Sequence, residues 1–404
     1  MAGGEVVVTG MGAMTPVGAD LHSSWAALTA GESGISTVEE PWAADLPVRL
    51  VGQLPVDPAA SLSYRQGRRL DRCEQMAVVT ARAAWADAGT PAVEPERLSV
   101  VIGTGIGGVR TTLSQQQVLM EAGPRKLSPH AITMLMANGP AAWVSIDLGA
   151  RGGARTPVSA CASGAEAIAD GMEMIRRGDA DIVVAGGAEA PIAGLTLGAF
   201  AQMKALSTRH DDPAGASRPF DANRDGFVLG EGAGLVVLER AEFARARGAR
   251  AYATIAGSGR TSDAHDIVAA DPAGQARAIS IALRTAGLAP TDIGLVHAHA
   301  TSTPVGDPLE AEALTQAIGN HAAVTASKSM TGHLLGASGA IGAIVAILSL
   351  HHKLIPPTRN LERLDPAIKL DIVTDKARRE NIHAAIGNSF GFGGHNVTLA
   401  FTAA

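Results

Sequence analysis

The chain is poor in aromatic residues, in cysteine and in positive charge. Phe, Trp and Tyr make up 3% of its 404 residues, whereas 46% are hydrophobic and 47 are glycine. The core must therefore be built from small aliphatic side chains on closely packed backbones. Asp and Glu number 39 against 33 Lys and Arg, a net charge of −6, which excludes a general nucleic-acid-binding protein. The length and composition indicate a globular protein of two domains or of one large duplicated domain.

Signals for secretion and for membrane insertion are also lacking. Two cysteines, Cys73 and Cys161, provide no disulfide framework and fit a reducing compartment. Residues 1–10 have neither the basic start nor the apolar stretch of a signal peptide. The most apolar late segment, residues 336–350, is too short and too rich in Gly and Ser to cross a bilayer, so it predicts a buried helix. We expect a cytoplasmic protein without membrane insertion.

Short apolar runs alternate with helical patterns along the chain. Residues 98–102 indicate a strand that runs into glycines, whereas residues 70–88 and 131–148 have helical periodicity. This alternation predicts an α/β fold with mostly parallel sheets covered by helices.

A fresh apolar strand begins near residue 251, and a short motif repeats. Ala-Ser-Gly-Ala at residues 162–165 recurs at residues 337–340, each time in an apolar helix. A four-residue match is weak in a chain rich in Ala and Gly, but it suggests a duplication. We therefore expect two halves, residues 1–250 and residues 251–404.

Cys161 lies between a short β-favouring run and a predicted helix. Ala165, Ile168, Met172 and Ile175 recur at helical spacing after it, so the cysteine is placed near a helix N-terminus. Such a position favours a thiolate, the nucleophilic form of cysteine. A buried structural thiol is the alternative, and this segment alone leaves both open.

Three polar turns that follow predicted strands carry histidine or lysine. The first begins at His299, the second contains Lys328 and His333, and the third spans residues 388–396. Turns after strands are where α/β sheets build binding sites. Together with a cysteine at a helix start, they predict an active site.

Three other motifs are weaker. Gly103-x-Gly105-x-x-Gly108 matches a dinucleotide fingerprint, but no second strand with a ribose-binding acid follows, so we interpret it as the wall of a pocket. The acidic motif at residues 221–226 lacks the Glu that closes a calcium loop and predicts a structural turn. His297 and His299 share one strand face, but no third metal ligand is evident nearby.

The cysteine, the two histidines, the lysine and Gly-Phe-Gly-Gly at residues 391–394 together resemble β-ketoacyl-acyl-carrier-protein synthases of the thiolase-like superfamily. The resemblance is strongest to the elongating synthase II type, including actinobacterial and mycobacterial long-chain enzymes. It covers nearly the whole chain, with further motifs at residues 123–126, 217–221 and 224–228. It implies a five-layer αβαβα fold, with two duplicated halves that each contain a mixed, mostly parallel sheet, and a homodimer.

The resemblance also implies a reaction. Cys161 would take an acyl chain from a carrier thioester, and the backbone N–H groups of Cys161 and Phe392 would form the oxyanion hole. His299 and His333 would stabilise the enolate left when a malonyl thioester loses carbon dioxide. Lys328 would organise His333 and the local charge. No cofactor is implied, because the substrates travel on the phosphopantetheine of an acyl carrier protein.

Further positions follow from the same resemblance. Residues expected to bind the substrate are Thr301 and Thr303 at the pantetheine arm, Ile106 and Phe200 at the acyl tunnel, and Phe390, with Phe392 as a gate. Residues expected to dock the acidic carrier are Arg65, Arg68, Arg69 and Lys204. The alternative for these basic residues is a solvated charge run.

Other members of the superfamily differ from this chain in their active-site residues or in their pathway. A thiolase would carry a second catalytic cysteine late in the chain, and none follows Cys161. An initiating synthase would have one histidine and an asparagine in place of His299 and His333. A non-catalytic partner subunit would lack the nucleophile. A ketosynthase of a polyketide or mycolic-acid pathway would use the same residues and remains the main alternative.

The chain departs from this family at one place. Many relatives carry a glutamate nine residues after the counterpart of His333, and in some it holds a cation together with two asparagines. The corresponding residues here are Gly342, His297 and Gly387. Because a hard cation needs oxygen ligands, we predict no metal there. Lys328 would lose its carboxylate partner, and His297 is a candidate replacement.

Overall fold

The computed structural model describes residues 4–404, so the first three residues of the predicted N-terminal half lie outside it. The strands are β1 Val6–Met14, β2 Ile35–Thr37, β3 Leu50–Gly52, β4 Leu98–Gly103, β5 Gly153–Arg155, β6 Ile182–Glu189, β7 Leu229–Gly230, β8 Gly232–Arg240, β9 Ala253–Ser262, β10 Leu295–His297, β11 Ala323–Thr325, β12 Leu354–Ile355, β13 Asp371–Ile372, β14 Arg378–Arg379, β15 Ala384–Gly391 and β16 His395–Ala403. The helices are α1 Leu21–Ala30, α2 Tyr64–Gly67, α3 Arg72–Asp87, α4 Val109–Ala122, α5 Ala131–Leu135, α6 Gly139–Leu148, α7 Ser163–Arg176, α8 Gly194–Gln202, α9 Ala241–Ala246, α10 Pro272–Ala286, α11 Gly306–Ile318, α12 Lys328–Thr331 and α13 Ser338–His352.

The main sheet consists of two half-sheets with the same strand order. From their junction outward, the first half runs β1-β8-β6-β4-β5 and the second runs β9-β16-β15-β10-β11-β13. In each half, the first strand of the half lies at the junction, the last strand lies next to it, and three further strands follow in the same order; β13 is an additional edge strand of the second half. The halves meet through the short antiparallel pairing of Val7 with Thr254 and Val8 with Ala253. This shared topology supports the predicted duplication.

Helices cover both faces of each half-sheet. Helices α7 and α13 contact each other and strands of both half-sheets, so they form the middle layer. Helices α3 and α6 pack on the outer face of the first half-sheet, and α10 packs on the outer face of the second, with α11 against α10. The result is the predicted five-layer αβαβα arrangement. Both half-sheets are mixed: the strands nearest the junction pair antiparallel and the outer strands pair parallel.

The middle helix α13 is apolar all round because it has protein on every side. Its residues from Ser338 to Leu350 are all buried. By length and composition alone, the helical stretch Leu335–His352 is sufficient to cross a membrane, which the sequence did not suggest. However, 89% of that stretch is buried inside the protein, as expected for the predicted core helix.

The middle layer repeats one local structure in the two halves. Ser163 and Ser338 are the first residues of α7 and α13, and a 3₁₀ turn precedes each. Ala160 and Leu335, each three residues before its serine, have positive φ values of 50° and 43°. At Gly164 and Gly339, an added Cβ would lie 2.7 Å from Gly336 O and 2.8 Å from Ala165 N, respectively. Glycine at both positions therefore lets the two helix starts approach closely.

Some predicted boundaries are wrong for identifiable reasons. The helix expected over residues 131–148 is broken between α5 and α6, because Pro140 lies in the first turn of α6 and cannot continue a preceding helix. The strand before Cys161 ends at Arg155, short of the β-favouring run next to the cysteine. Cys161 itself lies in a 3₁₀ turn directly before α7, at the predicted junction. Much of the third predicted turn belongs to β15, which extends to Gly391.

Candidate active site

Cys161 lies at the bottom of a cavity where the two halves meet. Its sulfur is 3.0 Å from Nε2 of His333, which belongs to the second half. The backbone N–H groups of Cys161 and Phe392 also face the sulfur. Small neighbours and the positive φ of Ala160 place the side chain at the start of α7. The residues predicted for the nucleophile and the oxyanion hole are therefore brought together.

Burial dominates the electrostatics of the thiol. Desolvation raises the pKa of Cys161 to about 12, although the charge of Lys328 and the two backbone N–H groups lower it in part. The side chain is thus a thiol in the resting protein. Formation of the thiolate therefore depends on the hydrogen-bond donors and on the positive charge around the sulfur.

The two predicted histidines form a perpendicular pair. The ring centroids of His299 and His333 are 5.4 Å apart, and the planes are 85° to each other. Burial, followed by the charge of Lys328, lowers the pKa of both well below the usual histidine range. Both rings are therefore neutral, and each has one N–H to donate.

Lys328 reaches the backbone of the His299 turn. Its ammonium donates to the carbonyl oxygen of His299 at 2.5 Å. Desolvation lowers the pKa of Lys328 to about 8, and the strongest opposing influence is the charge of Glu310. Glu310 accepts from the backbone N–H groups of His299 and Ala300 at 2.8 and 2.6 Å. A carboxylate thus lies near Lys328 after all, on α11.

His297, the candidate replacement for the missing glutamate, is not the hydrogen-bond partner of Lys328. Its Nε2 pairs with the hydroxyl of Ser327 at 2.9 Å. Its ring instead fills the space beside Gly342, where an added Cβ would lie 2.7 Å from Nδ1. Burial and the nearby lysine lower the pKa of His297 to about 3, so the ring is neutral. Within residues 4–404, no group of three or more His, Cys, Asp or Glu side chains is arranged to hold a metal.

Most of the predicted substrate residues line one cavity of about 690 Å³. The predicted residues in its wall are Ile106, Cys161, Phe200, Lys204, His299, Thr301, Thr303, His333, Phe390 and Phe392. The hydroxyl groups of Thr301 and Thr303 are 3.2 Å apart. Phe392 is 37% exposed and Ile106 is 40% exposed, so both are accessible from solvent.

The predicted docking residues divide into two groups. Lys204 lines the cavity, whereas Arg65, Arg68 and Arg69 do not. Arg65 lies in α2, and Arg68 caps that helix and donates to the hydroxyl of Tyr64 at 3.1 Å. Arg65 and Arg68 are exposed and Arg69 is half-buried, so they are available to a partner on the surface.

Two buried carboxylates and one serine at the site were not predicted. Glu189 accepts from Thr104 Oγ1 and from the backbone N–H groups of Gly105, Ile106 and Gly336. These bonds occupy backbone donors of the glycine loop that follows β4. Glu310 is the second carboxylate. The only feature of the sequence that could have indicated it is the spacing of Asp307 and Glu310, which lie three residues apart on the buried face of α11. The serine is Ser338.

Comparisons with known proteins agree with this geometry. Residues 4–244 match the family model "Beta-ketoacyl synthase, N-terminal domain", and residues 252–362 match "Beta-ketoacyl synthase, C-terminal domain". The 3-oxoacyl-[acyl-carrier-protein] synthase 2 of Mycobacterium tuberculosis is 46% identical over 98% of this chain and 96% of that protein.

Solved structures extend the likeness to the fold. A beta-ketoacyl synthase from Burkholderia phymatum superposes with a TM-score of 0.93 at 35% identity, over 99% of this chain and 100% of that one. A type II polyketide ketosynthase in complex with its acyl-carrier protein superposes with a TM-score of 0.92 at 29% identity, over the whole of both chains. The fold is therefore that of the thiolase-like ketosynthases. The chain belongs to the beta-ketoacyl synthase family.

Proposed function

We propose that this protein is a 3-oxoacyl-[acyl-carrier-protein] synthase that elongates an acyl chain by two carbons. The observation that carries the proposal is the contact of 3.0 Å between Cys161 Sγ and His333 Nε2 in a cavity that His299 also lines. A nucleophile from one half thus faces two neutral donors from the other half. The high identity to synthases of this name supports the assignment.

The first half-reaction loads the enzyme. The sulfur of Cys161 attacks the carbonyl carbon of an acyl-carrier thioester, and the carrier leaves as a free thiol that takes up the proton lost by the cysteine. The backbone N–H groups of Cys161 and Phe392 are placed to bind the oxyanion of the tetrahedral intermediate.

The second half-reaction forms the carbon–carbon bond. The malonyl thioester loses carbon dioxide, and the resulting enolate is stabilised by hydrogen bonds from His299 and His333. The enolate carbon attacks the carbonyl of the acyl-cysteine. The Cys161 thiolate leaves and is reprotonated, and the product is a 3-oxoacyl carrier thioester. These two half-reactions need no cofactor. Lys328 and Glu310 hold the His299 turn in place through hydrogen bonds to its backbone.

An acyl carrier protein is the proposed partner, with Thr301 and Thr303 bonding its pantetheine arm. The polyketide ketosynthase that superposes on this chain is bound to its own carrier, which supports such a partnership. Arg65, Arg68 and Lys204 supply positive charge for an acidic carrier, with Arg69 beside them.

Charge reversal tests this docking surface. The double variant Arg68→Glu, Arg69→Glu should raise KM for carrier-bound substrate about tenfold and flatten its salt dependence. A short pantetheine thioester serves as the control and should react normally. An equal loss with both substrates would contradict a docking role.

We also propose a cytoplasmic homodimer. Strand β5 forms one open edge of the main sheet, and edge strands tend to pair with another chain. Ile146, in the neighbouring helix α6, and Val158, three residues after β5, are apolar and 69% and 55% exposed. Light scattering coupled to size-exclusion chromatography should give twice the chain mass, and replacing Ile146 with Asp should give the monomer.

A ketosynthase of a type II polyketide or mycolic-acid pathway is the second candidate. The type II polyketide ketosynthase superposes nearly as well as the beta-ketoacyl synthase does, so the fold does not favour either pathway. Mass spectrometry of malonyl carrier incubated with acyl carriers of different length tests both. A single two-carbon extension of saturated chains supports the proposed function, whereas repeated extension to polyketides supports the alternative.

A further inference from the structure

We propose that Ser338 is a positioning residue that holds His333 in the tautomer with its proton on Nε2. Ser338 is the first residue of α13 and is buried in the middle layer of the fold. Its hydroxyl oxygen is 2.9 Å from Nδ1 of His333, the ring nitrogen that points away from Cys161. The catalytic consequence of this contact rests on the proposed function, but the tautomer itself does not.

The direction of this hydrogen bond follows from counting donors and acceptors. The oxygen of Ser338 accepts from the backbone N–H of Leu334 at 2.8 Å, so its proton points elsewhere. Among residues 4–404, Nδ1 of His333 is the acceptor within reach of that proton. If Nδ1 carried the proton instead, the buried hydroxyl hydrogen of Ser338 would have no partner, which is unfavourable. Ser338 therefore donates and Nδ1 accepts.

The corresponding serine of the first half behaves in the same way toward the backbone. The oxygen of Ser163 accepts from the N–H of Ser159, four residues earlier, as Ser338 accepts from Leu334. The hydroxyl of Ser163 then donates to the carbonyl oxygen of Ala160 at 2.7 Å. In the second half, the donated proton goes to an imidazole instead. The duplicated local structure thus supplies the oriented hydroxyl, and His333 makes use of it.

A neutral histidine with Nδ1 occupied as an acceptor has its N–H at Nε2. That atom faces the sulfur of Cys161 and the cavity. The N–H can therefore donate to a thiolate before the acyl chain arrives and to the carbonyl or enolate oxygen of the malonyl thioester afterwards. The other tautomer would present a lone pair to the thiolate sulfur and to the substrate oxygen, and it would repel both.

The test combines spectroscopy with kinetics. In ¹⁵N-histidine-labelled protein, with His333 assigned through His333→Gln, wild type should show a protonated Nε2 and an unprotonated Nδ1. In Ser338→Ala, the ¹⁵N chemical shifts of both ring nitrogens should move toward intermediate values, which indicate a mixture of the two tautomers. The same variant should lose about tenfold in the rate of malonyl decarboxylation while it retains acyl transfer to Cys161. Ser338→Thr, which keeps the hydroxyl, should restore both readouts.

A control lies on the same helix. Ser349 is also fully buried in α13, but its hydroxyl has no partner among the described residues. Ser349→Ala should match wild type in both readouts. A protonated Nδ1 in wild type, or a Ser338→Ala spectrum identical to wild type, would overturn the proposal. If wild type shows the Nε2 tautomer but condenses no carrier substrate, the proposed function fails and the assignment of Ser338 to the tautomer stands.

Discussion

In the first half of the molecule the segment between β5 and α7 carries Cys161, whereas in the second half the segment between β11 and α13 carries Lys328 and His333. Both segments enter their helix through a 3₁₀ turn, a residue with positive φ and a serine whose oxygen accepts from the backbone four residues earlier. The backbone is thus repeated while the chemistry is not. Under the proposed function, one half provides the nucleophile and the other provides neutral donors, and they come together where the two helix starts meet.

Both halves bury acids, but among the described residues only the second half buries histidines. The first half buries Glu74, whose pKa is raised to about 9 by desolvation. The second half buries His297, His299 and His333, whose pKa values are all lowered by desolvation. Burial neutralises both kinds of group, but it makes folding sensitive to pH in opposite directions.

The largest expected effect is the loss of the nucleophile. Cys161→Ala should reduce condensation by about 10³-fold or more, because no other group in the cavity can hold the acyl chain. Cys73→Ala is the matched control: Cys73 is fully buried in α3, and its loss should affect stability rather than the chemistry. Product formation measured by mass spectrometry distinguishes the two, and an active Cys161→Ala variant would remove the asymmetry between the halves.

Loss of a donor from the second half should separate the two reaction steps. His333→Ala should reduce condensation by about 10²- to 10³-fold, since one hydrogen bond to the developing enolate is lost. Acyl transfer to Cys161 should persist. Rapid quenching followed by mass spectrometry measures both steps in one sample, and equal losses in both would contradict the division of roles between the halves.

The loss of stability with rising pH tests Glu74, a buried acid of the first half. The folded-state pKa of Glu74 is about 9 against 4.5 in the unfolded chain, so its contribution to stability is present below pH 4.5 and is lost as pH rises toward 9. We expect about 3 kcal/mol of the free energy of unfolding to be lost between pH 5 and pH 7.5. Glu74→Gln keeps an oxygen to accept from Asp71 N and should abolish this loss in urea titrations. The exposed control Glu32→Gln should leave it unchanged.

The loss of stability with falling pH tests His297, a buried histidine of the second half. The folded-state pKa of His297 is about 3 against 6.5 in the unfolded chain, so its contribution is present above pH 6.5 and is lost as pH falls. Between pH 7.5 and pH 5 this residue should account for about 2 kcal/mol. His297→Asn should reduce the slope of stability against pH in this range, and the exposed control His22→Asn should not. A slope unchanged by His297→Asn would mean that other groups cause the acid sensitivity.

The sequence predicted the parts of this architecture that repeat and several of the residues that line the cavity at their junction. Alternating strands and helices gave the fold class, and the repeated Ala-Ser-Gly-Ala marked the two helix starts that meet. The contacts that orient the reacting groups could not be predicted, because they join distant segments. Glu310 reaches the His299 turn from α11, and Glu189 links a loop of the first half to the backbone of Gly336. His297 was a candidate acceptor for Lys328, but its ring packs against Gly342, and that contact depends on how β10 lies against α13.

The central claim is that an acyl chain is held on the cysteine of the first half while the second half acts on the malonyl unit. The direct test is to incubate the protein with an acyl-carrier thioester, digest it and locate the acyl mass by peptide mass spectrometry, before and after adding malonyl carrier. We predict an acyl group on the peptide that contains Cys161, its disappearance when malonyl carrier is added, and a carrier product two carbons longer. An acyl group on the peptide that contains Cys73, or on neither cysteine, would contradict the account.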